Sequence, residues 1–217
     1  MHKEQRMADL KSLLEQSAAL HNHLCPRQVI GVRMGLFAGQ LLGLEVPQAN
    51  KRLITFIETD GCFADGVAVA TGCWLGHRTL RLIDEGKVAA TFVDSETSHA
   101  IRLAPSPQVR ELARELCPNA KSRWHAQLEA YQVVSDEAFF VWQEIELHLN
   151  LDALISRPGI RVNCARCGEE ILNEREVYTN GQPLCRSCAG ESYFKVKSEA
   201  AWLSINLAEP SIICESH

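Results

Sequence analysis

An α+β core followed by a small metal-stabilised module is the architecture this sequence predicts. Three observations predict it. Two Cys-x2-Cys pairs, Cys164-Ala-Arg-Cys167 and Cys185-Arg-Ser-Cys188, sit near the C-terminus. Upstream of them, stretches of helical periodicity alternate with short runs of strand composition. Arg157-Pro158-Gly159 marks a boundary between the two regions. The expected division is a core over 1–157, a finger over 161–196 and a C-terminal tail over 197–217.

The first helix is predicted over residues 5–20, where Met7, Leu10, Leu13, Leu14 and Ala18 fall on one face. Pro26 suits the first turn of a second helix running to about Leu44, because its missing N–H is not needed there. Gly31, Gly35, Gly39 and Gly43 recur every four residues along that helix, a pattern that lets a neighbouring backbone approach closely. Leu53 to Glu58 reads as a strand, Asp60-Gly61 as a turn, and Ala64 to Thr71 as a short buried helix. Leu80–Ile83 and Val88–Val93 are expected to form a hairpin around Asp84 to Lys87. Helices are expected from Pro107 to Cys117 and over 121–132. Val141, Ile145, Leu147 and Leu149 then alternate with polar residues, as in a strand with one wet face.

Seventeen residues separate the Cys-x2-Cys pairs, so two turns can each present two thiolates to one ion. Zinc suits four soft ligands in a tetrahedral shell, and four ligands leave no open position, which makes the site structural. Gly168 fits a metal knuckle, Asn180-Gly181 a hairpin turn, and Ala189 to Val196 a short helix. Knuckle, hairpin and helix in that order describe a treble-clef finger.

A net charge of −5 over 217 residues argues against a nucleic-acid surface, as does the paucity of exposed aromatics for stacking bases. The charged N-terminus and the absence of a long apolar run predict a cytoplasmic protein with no membrane span. Nine cysteines in a reducing compartment point to metal or thiol chemistry.

His21, His23 and Cys25 occupy alternate positions, which an extended segment would turn to one face. Cys25 and Cys62 each precede a predicted helix, where N–H groups favour a thiolate. His23, Cys25 and Cys62 are therefore candidate ligands for a second metal in the core. Alternatively, Cys25 or Cys62 is a nucleophile, with His23 as base and Asp65 as orienting group. Cys73 and Cys117 are expected to be buried and inert.

The stretches His21-Asn-His-Leu-Cys-Pro26, Glu58-Thr-Asp-Gly-Cys62-Phe-Ala-Asp65, Thr71-Gly-Cys73 and Gly86-Lys87-Val-Ala resemble the FmdE family of formylmethanofuran dehydrogenase subunits. The resemblance implies an α+β core, a dimer, and a cleft lined by the His-x-His-x-Cys-Pro segment and Cys62. It also implies association with molybdenum or tungsten enzymes of one-carbon metabolism. Asn22 and Arg27 stand where the family often has glycine, and Arg27 puts a cation at the mouth of that cleft. Three functions stay open: an accessory metal-binding protein for such an oxidoreductase, a free-standing enzyme, and a zinc-finger regulatory adaptor.

Overall fold

The computed structural model describes residues 3–151 and 159–195, with side chains from Leu10 onward. It separates into two compact units, Met1–Ile155 and Ser156–His217. Arg157, Pro158 and the 197–217 tail lie outside the described residues.

In the first unit, α1 (Lys3–His21) and α2 (Pro26–Leu42) are joined by a four-residue turn in which Asn22 adopts φ 57°. Gly43 ends α2 in the left-handed conformation (φ 66°) and returns its N–H to the carbonyls of Gln40 and Gly39. β1 (Leu53–Ile57) leads to α3 (Cys62–Thr71), which begins two residues earlier than expected and so includes Cys62 in its first turn. β2 (Leu80–Leu82), β3 (Ala90–Asp94) and β4 (Ala100–Pro105) follow. Next come α4 (Val109–Leu116), α5 (Arg123–Ala130), α6 (Asp136–Phe139) and β5 (Phe140–Glu144).

The sheet order is β2-β1-β3-β4-β5. β2 pairs with β1 in parallel and β3 pairs with β1 antiparallel, so the expected β2–β3 hairpin does not form. β1 lies between them instead, second from the edge of the sheet. Lys87 N and Glu85 N donate to the carbonyl of Glu58, threading the connection past the end of β1. β1 suits an interior place because it is apolar on both faces. Leu53 and Ile57 enter the main core, whereas Ile54 and Phe56 join Val93 and Ala100 on the opposite face.

The sequence pattern misplaced the last strand. Val141 is 49% exposed, and the regular ladder ends at Glu144. Ile145 and Leu147 nevertheless cover the second sheet face. β4 was not expected at all, because Arg102 and Pro105 interrupt its apolar run. Arg102 is instead held by Glu58, with Nε–Oε1 2.5 Å and Nη2–Oε2 2.6 Å.

The helices pack through glycine. A Cβ on Gly31 would fall 2.3 Å from the carbonyl oxygen of Phe63 and 2.8 Å from the nitrogen of Val67. One on Gly66 would fall 2.5 Å from the carbonyl oxygen of Gln28. A turn further on, Gly35 faces Ala70. Both contact series advance in the same direction, so α2 and α3 run parallel and begin at the same end of the pair.

Gly31→Ala and Gly66→Ala should each destabilise the core by about 3 kcal/mol, because the added methyl meets fixed backbone. Gly76→Ala, where a Cβ would meet nothing within 4 Å, should change stability little. Urea unfolding of the three variants checks both statements. Equal stability of Gly31→Ala and Gly76→Ala would remove the close-crossing argument.

Candidate metal centre and core cleft

The finger is built from two short hairpins. β6 (Arg161–Asn163) pairs with β7 (Glu170–Leu172), and β8 (Val177–Thr179) with β9 (Gln182–Leu184). In the first knuckle, Cys164 N donates to Glu169 O and Gly168 N to Cys164 O, each at 2.9 Å. Gly168 has φ 79°, the conformation its position requires. Asn180 (φ 51°) and Gly181 (φ 78°) make the tight turn of the second hairpin. Ala165 N donates to Pro183 O at 2.8 Å, tying the first knuckle to β9.

All four sulfurs lie within 4.8 Å of one another. Cys167 and Cys185 Sγ are 3.9 Å apart. A tetrahedral zinc–thiolate site, with bonds of about 2.3 Å, places its sulfurs ~3.8 Å apart, so the set fits zinc. N–H groups of Cys167 and Cys185 help to hold the Cys164 thiol down at about 6. Hydrogen bonding to Cys185, burial and the other thiols push Cys188 up to about 12. Four thiolates this close need a cation among them, and a divalent metal would reverse the penalty at Cys188.

The helical part of the finger is smaller than expected. Only a turn over Ser187–Glu191 forms, and Gly190 at φ 112° breaks it. Ser192 to Lys195 are not helical, and Val196 lies outside the described residues.

In the first unit, Cys25 is the N-cap of α2 and is buried. Gln28 fixes it. Its Oε1 accepts from Cys25 N at 2.7 Å, and its Nε2 donates to the carbonyl of Ser17 in α1 at 2.8 Å. Cys62 opens α3 beside Cys25, an adjacency that follows from the parallel α2–α3 packing. Burial, and next the hydrogen bond and charge of Cys25, raise the Cys62 thiol above its ordinary value. At Cys62, burial and the neighbouring Cys25 thus work against the thiolate that a helix start favours.

His21, His23 and Cys25 do not share a face of an extended strand. His21 ends α1, and the left-handed turn at Asn22 separates it from His23. The two rings stand 5.9 Å apart, edge to face. His21 Nε2 bonds Asp65 Oδ2 at 2.6 Å, so Asp65 orients His21 rather than His23. His23 is exposed, and its Nδ1 donates to the carbonyl of His21 at 2.8 Å, which leaves Nε2 free as an acceptor. Among the described residues, no three of His21, His23, Cys25, Cys62 and Asp65 bring their ligand atoms as close together as the finger sulfurs. The core thus holds a thiol pair flanked by two histidines, not a preformed second metal centre. Cys73 is buried and bonded to Leu53 O and Thr55, as expected of an inert thiol.

Beside Cys25 opens a cavity of about 530 Å³, of which sequence reasoning found only the edge formed by Cys25, Pro26 and Arg27. Its wall comes from α2 (Arg27, Ile30), α4 (Val109, Arg110) and α5 (Trp124). No local motif could mark it, because its residues are scattered over a hundred positions.

The fold and the sites define a class: an α+β core carrying a thiol-lined cleft, with a separate four-cysteine metal finger. Residues 20–141, more than half of the chain, match the family model described as FmdE, molybdenum formylmethanofuran dehydrogenase operon, and the chain belongs to that family. Residues 159–194 match the prokaryotic dksA/traR C4-type zinc finger. A probable S-adenosyl-L-methionine-binding protein of Archaeoglobus fulgidus is 27% identical over 202 residues, covering 85% of this chain and 54% of that protein. The chain thus spans about half the length of this curated relative. The crystal structure of a tungsten formylmethanofuran dehydrogenase FmdE-like protein from Syntrophus aciditrophicus shares the fold. It aligns with a TM-score of 0.52 at 20% identity, over 86% of this chain and 95% of that one. No helix among the described residues is long and apolar enough to cross a membrane.

The full chain should carry one zinc in the finger. Cys164→Ser or Cys185→Ser should release it and unfold residues 161–194 while the core keeps its thermal transition. Zinc content and limited proteolysis are the measurements. A variant that keeps stoichiometric zinc and a protease-resistant finger would contradict the assignment.

Proposed function

We propose that this chain is a metal-binding accessory protein of a molybdenum or tungsten oxidoreductase of one-carbon metabolism, with its core cleft as the working site. One observation carries the reading. Parallel packing of α2 and α3 sets Cys25 and Cys62 side by side at two helix starts, with His21 and Asp65 coupled next to them. Two soft thiol ligands at adjacent helix N-termini are suited to a thiophilic metal. The exposed His23, with Nε2 free, can complete the set by turning inward. The finger would remain structural. Support for the partner comes from the molybdenum enzyme in the family's description and the tungsten enzyme for which the Syntrophus protein is named. Homodimer formation and a cytoplasmic location belong to the same proposal, as does independent folding of a core that ends at Arg157.

A free-standing thiol- or metal-dependent enzyme is the second reading, favoured by that acceptor nitrogen on His23. Cys25 or Cys62 would then be the nucleophile or ligand, with His23 as base. S-Adenosyl-L-methionine, named for the Archaeoglobus relative, is a poor match to the cavity beside Cys25, where two arginines face any sulfonium.

The test is a cadmium(II) titration of the full, zinc-loaded protein, followed by the ultraviolet thiolate-to-metal charge-transfer band. Wild type should show absorbance that Cys25→Ser and Cys62→Ser each lose and Cys117→Ser keeps. Metal affinity should rise with pH, because the raised Cys62 thiol must release its proton on binding. Identical titrations of wild type and both serine variants would sink the core-site reading.

Independent folding has its own check. A chain ending at Arg157 should unfold in one cooperative thermal transition, whereas molten or insoluble material would tie the core to its finger.

A further inference from the structure

The cavity beside Cys25 has an unusual charge composition for a chain of net charge −5. Its charged lining residues are Arg27 and Arg110, and no carboxylate lines it. Both arginines are exposed, and neither forms an ion pair among the described residues. Both also occupy the second position of a helix, α2 for Arg27 and α4 for Arg110. A cation there opposes the helix dipole, so neither position is explained by helix stability. Glu111, the acidic residue in the first turn of α4, is engaged with Arg114 at 2.8 Å. Two helix starts and two guanidinium groups therefore add positive potential to one cavity.

The remaining walls are mostly apolar, with Ser106 and Gln127 among them as uncharged polar groups. Ile30, Val88 and Val109 line the interior, and the indole of Trp124, 43% exposed, stands at its side. Tyr131 also lines the cavity, with Arg110 near its hydroxyl. The volume, about 530 Å³, is that of a small-molecule site.

We propose that this cavity binds a small organic anion with a flat apolar body, its carboxylate or phosphate held by Arg27 and Arg110 and its body lying against Trp124. The guanidinium groups suit forked recognition of either anion, and the indole supplies the stacking surface. Cys25 borders the cavity and Cys62 does not, so the ligand's body would lie next to the thiol pair rather than on it. The proposal rests on the proposed function only in placing this ligand beside the working thiols.

Two matched pairs of probes test it on the full chain by calorimetry: 2-naphthoate against 2-naphthamide, and AMP against adenosine. In at least one pair the anion should bind with a Kd below about 1 mM and at least about tenfold tighter than its neutral partner. Arg27→Gln and Arg110→Gln should each abolish that preference. Binding should change the protein's tryptophan fluorescence in wild type and not in Trp124→Phe. The inference is overturned if neither anion binds better than its neutral partner, if the anion preference survives both arginine substitutions, or if the fluorescence change survives Trp124→Phe. Cys62→Ser separates the two readings: it should lose the cadmium difference band while keeping anion binding.

Discussion

The arrangement of the core site depends on the backbone contact between α2 and α3. Ridges of side chains normally hold packed helices 8–10 Å apart. Here Gly31 and Gly66 remove the ridges, and each backbone meets the other's carbonyl or amide directly. With the helices parallel, the contact also fixes the distance between their first residues. Cys25 and Cys62 lie 37 positions apart in sequence and become neighbours because two glycines a few residues further on allow no other spacing. The site is thus a consequence of packing on one turn of each helix, not of the loops that carry its residues.

Positioning is reinforced from the side. Gln28 is buried, yet both ends of its amide are used, one on the N–H of Cys25 and one on the carbonyl of Ser17. A buried amide left half-bonded would cost about 1–3 kcal/mol, so the pair of bonds locks α1 against the start of α2. That in turn sets where α1 stops, and so where His21 meets Asp65. The finger follows different rules. It has little apolar interior, with Cys164 and Ile171 its buried hydrophobic residues among those described, and its order depends on four sulfurs and whatever cation they share.

How far the sequence could be read depended on whether an element is specified locally. The finger's ligand spacing, the Gly168 knuckle and the Asn180-Gly181 turn are all local, and they were legible. The helices were legible too, because Leu13 and Leu14 on one side and the four-residue glycine repeat on the other declare their packing faces. Strand partners were not. Nothing within Leu80–Val93 says that β1 will insert between β2 and β3, since that choice is made by β1, whose two apolar faces need cover on both sides. The core site was half legible. Its cysteines stood out by motif, but the pairing of Asp65 with His21, the bracing role of Gln28 and the cavity around Trp124 arise only when distant elements meet. A turn at Asn22 was enough to cancel the alternation that would have aligned three ligands.

Arg33 adds a constraint of another kind. It lies 6% exposed in the middle of α2, paired with Asp136, donating to the carbonyl of Tyr131 at 2.7 Å and stacked 4.5 Å over the ring of Phe139. Replacing such a cluster wholesale with apolar residues can be neutral or even stabilising, whereas removing one member strands a buried charge at a cost of about 3–5 kcal/mol. Single substitutions within the cluster are therefore costly even where a joint replacement would be tolerated. The cluster thus acts as a ratchet: it resists change one residue at a time, and with it is held the rotation of α2 that presents Cys25 and Arg27.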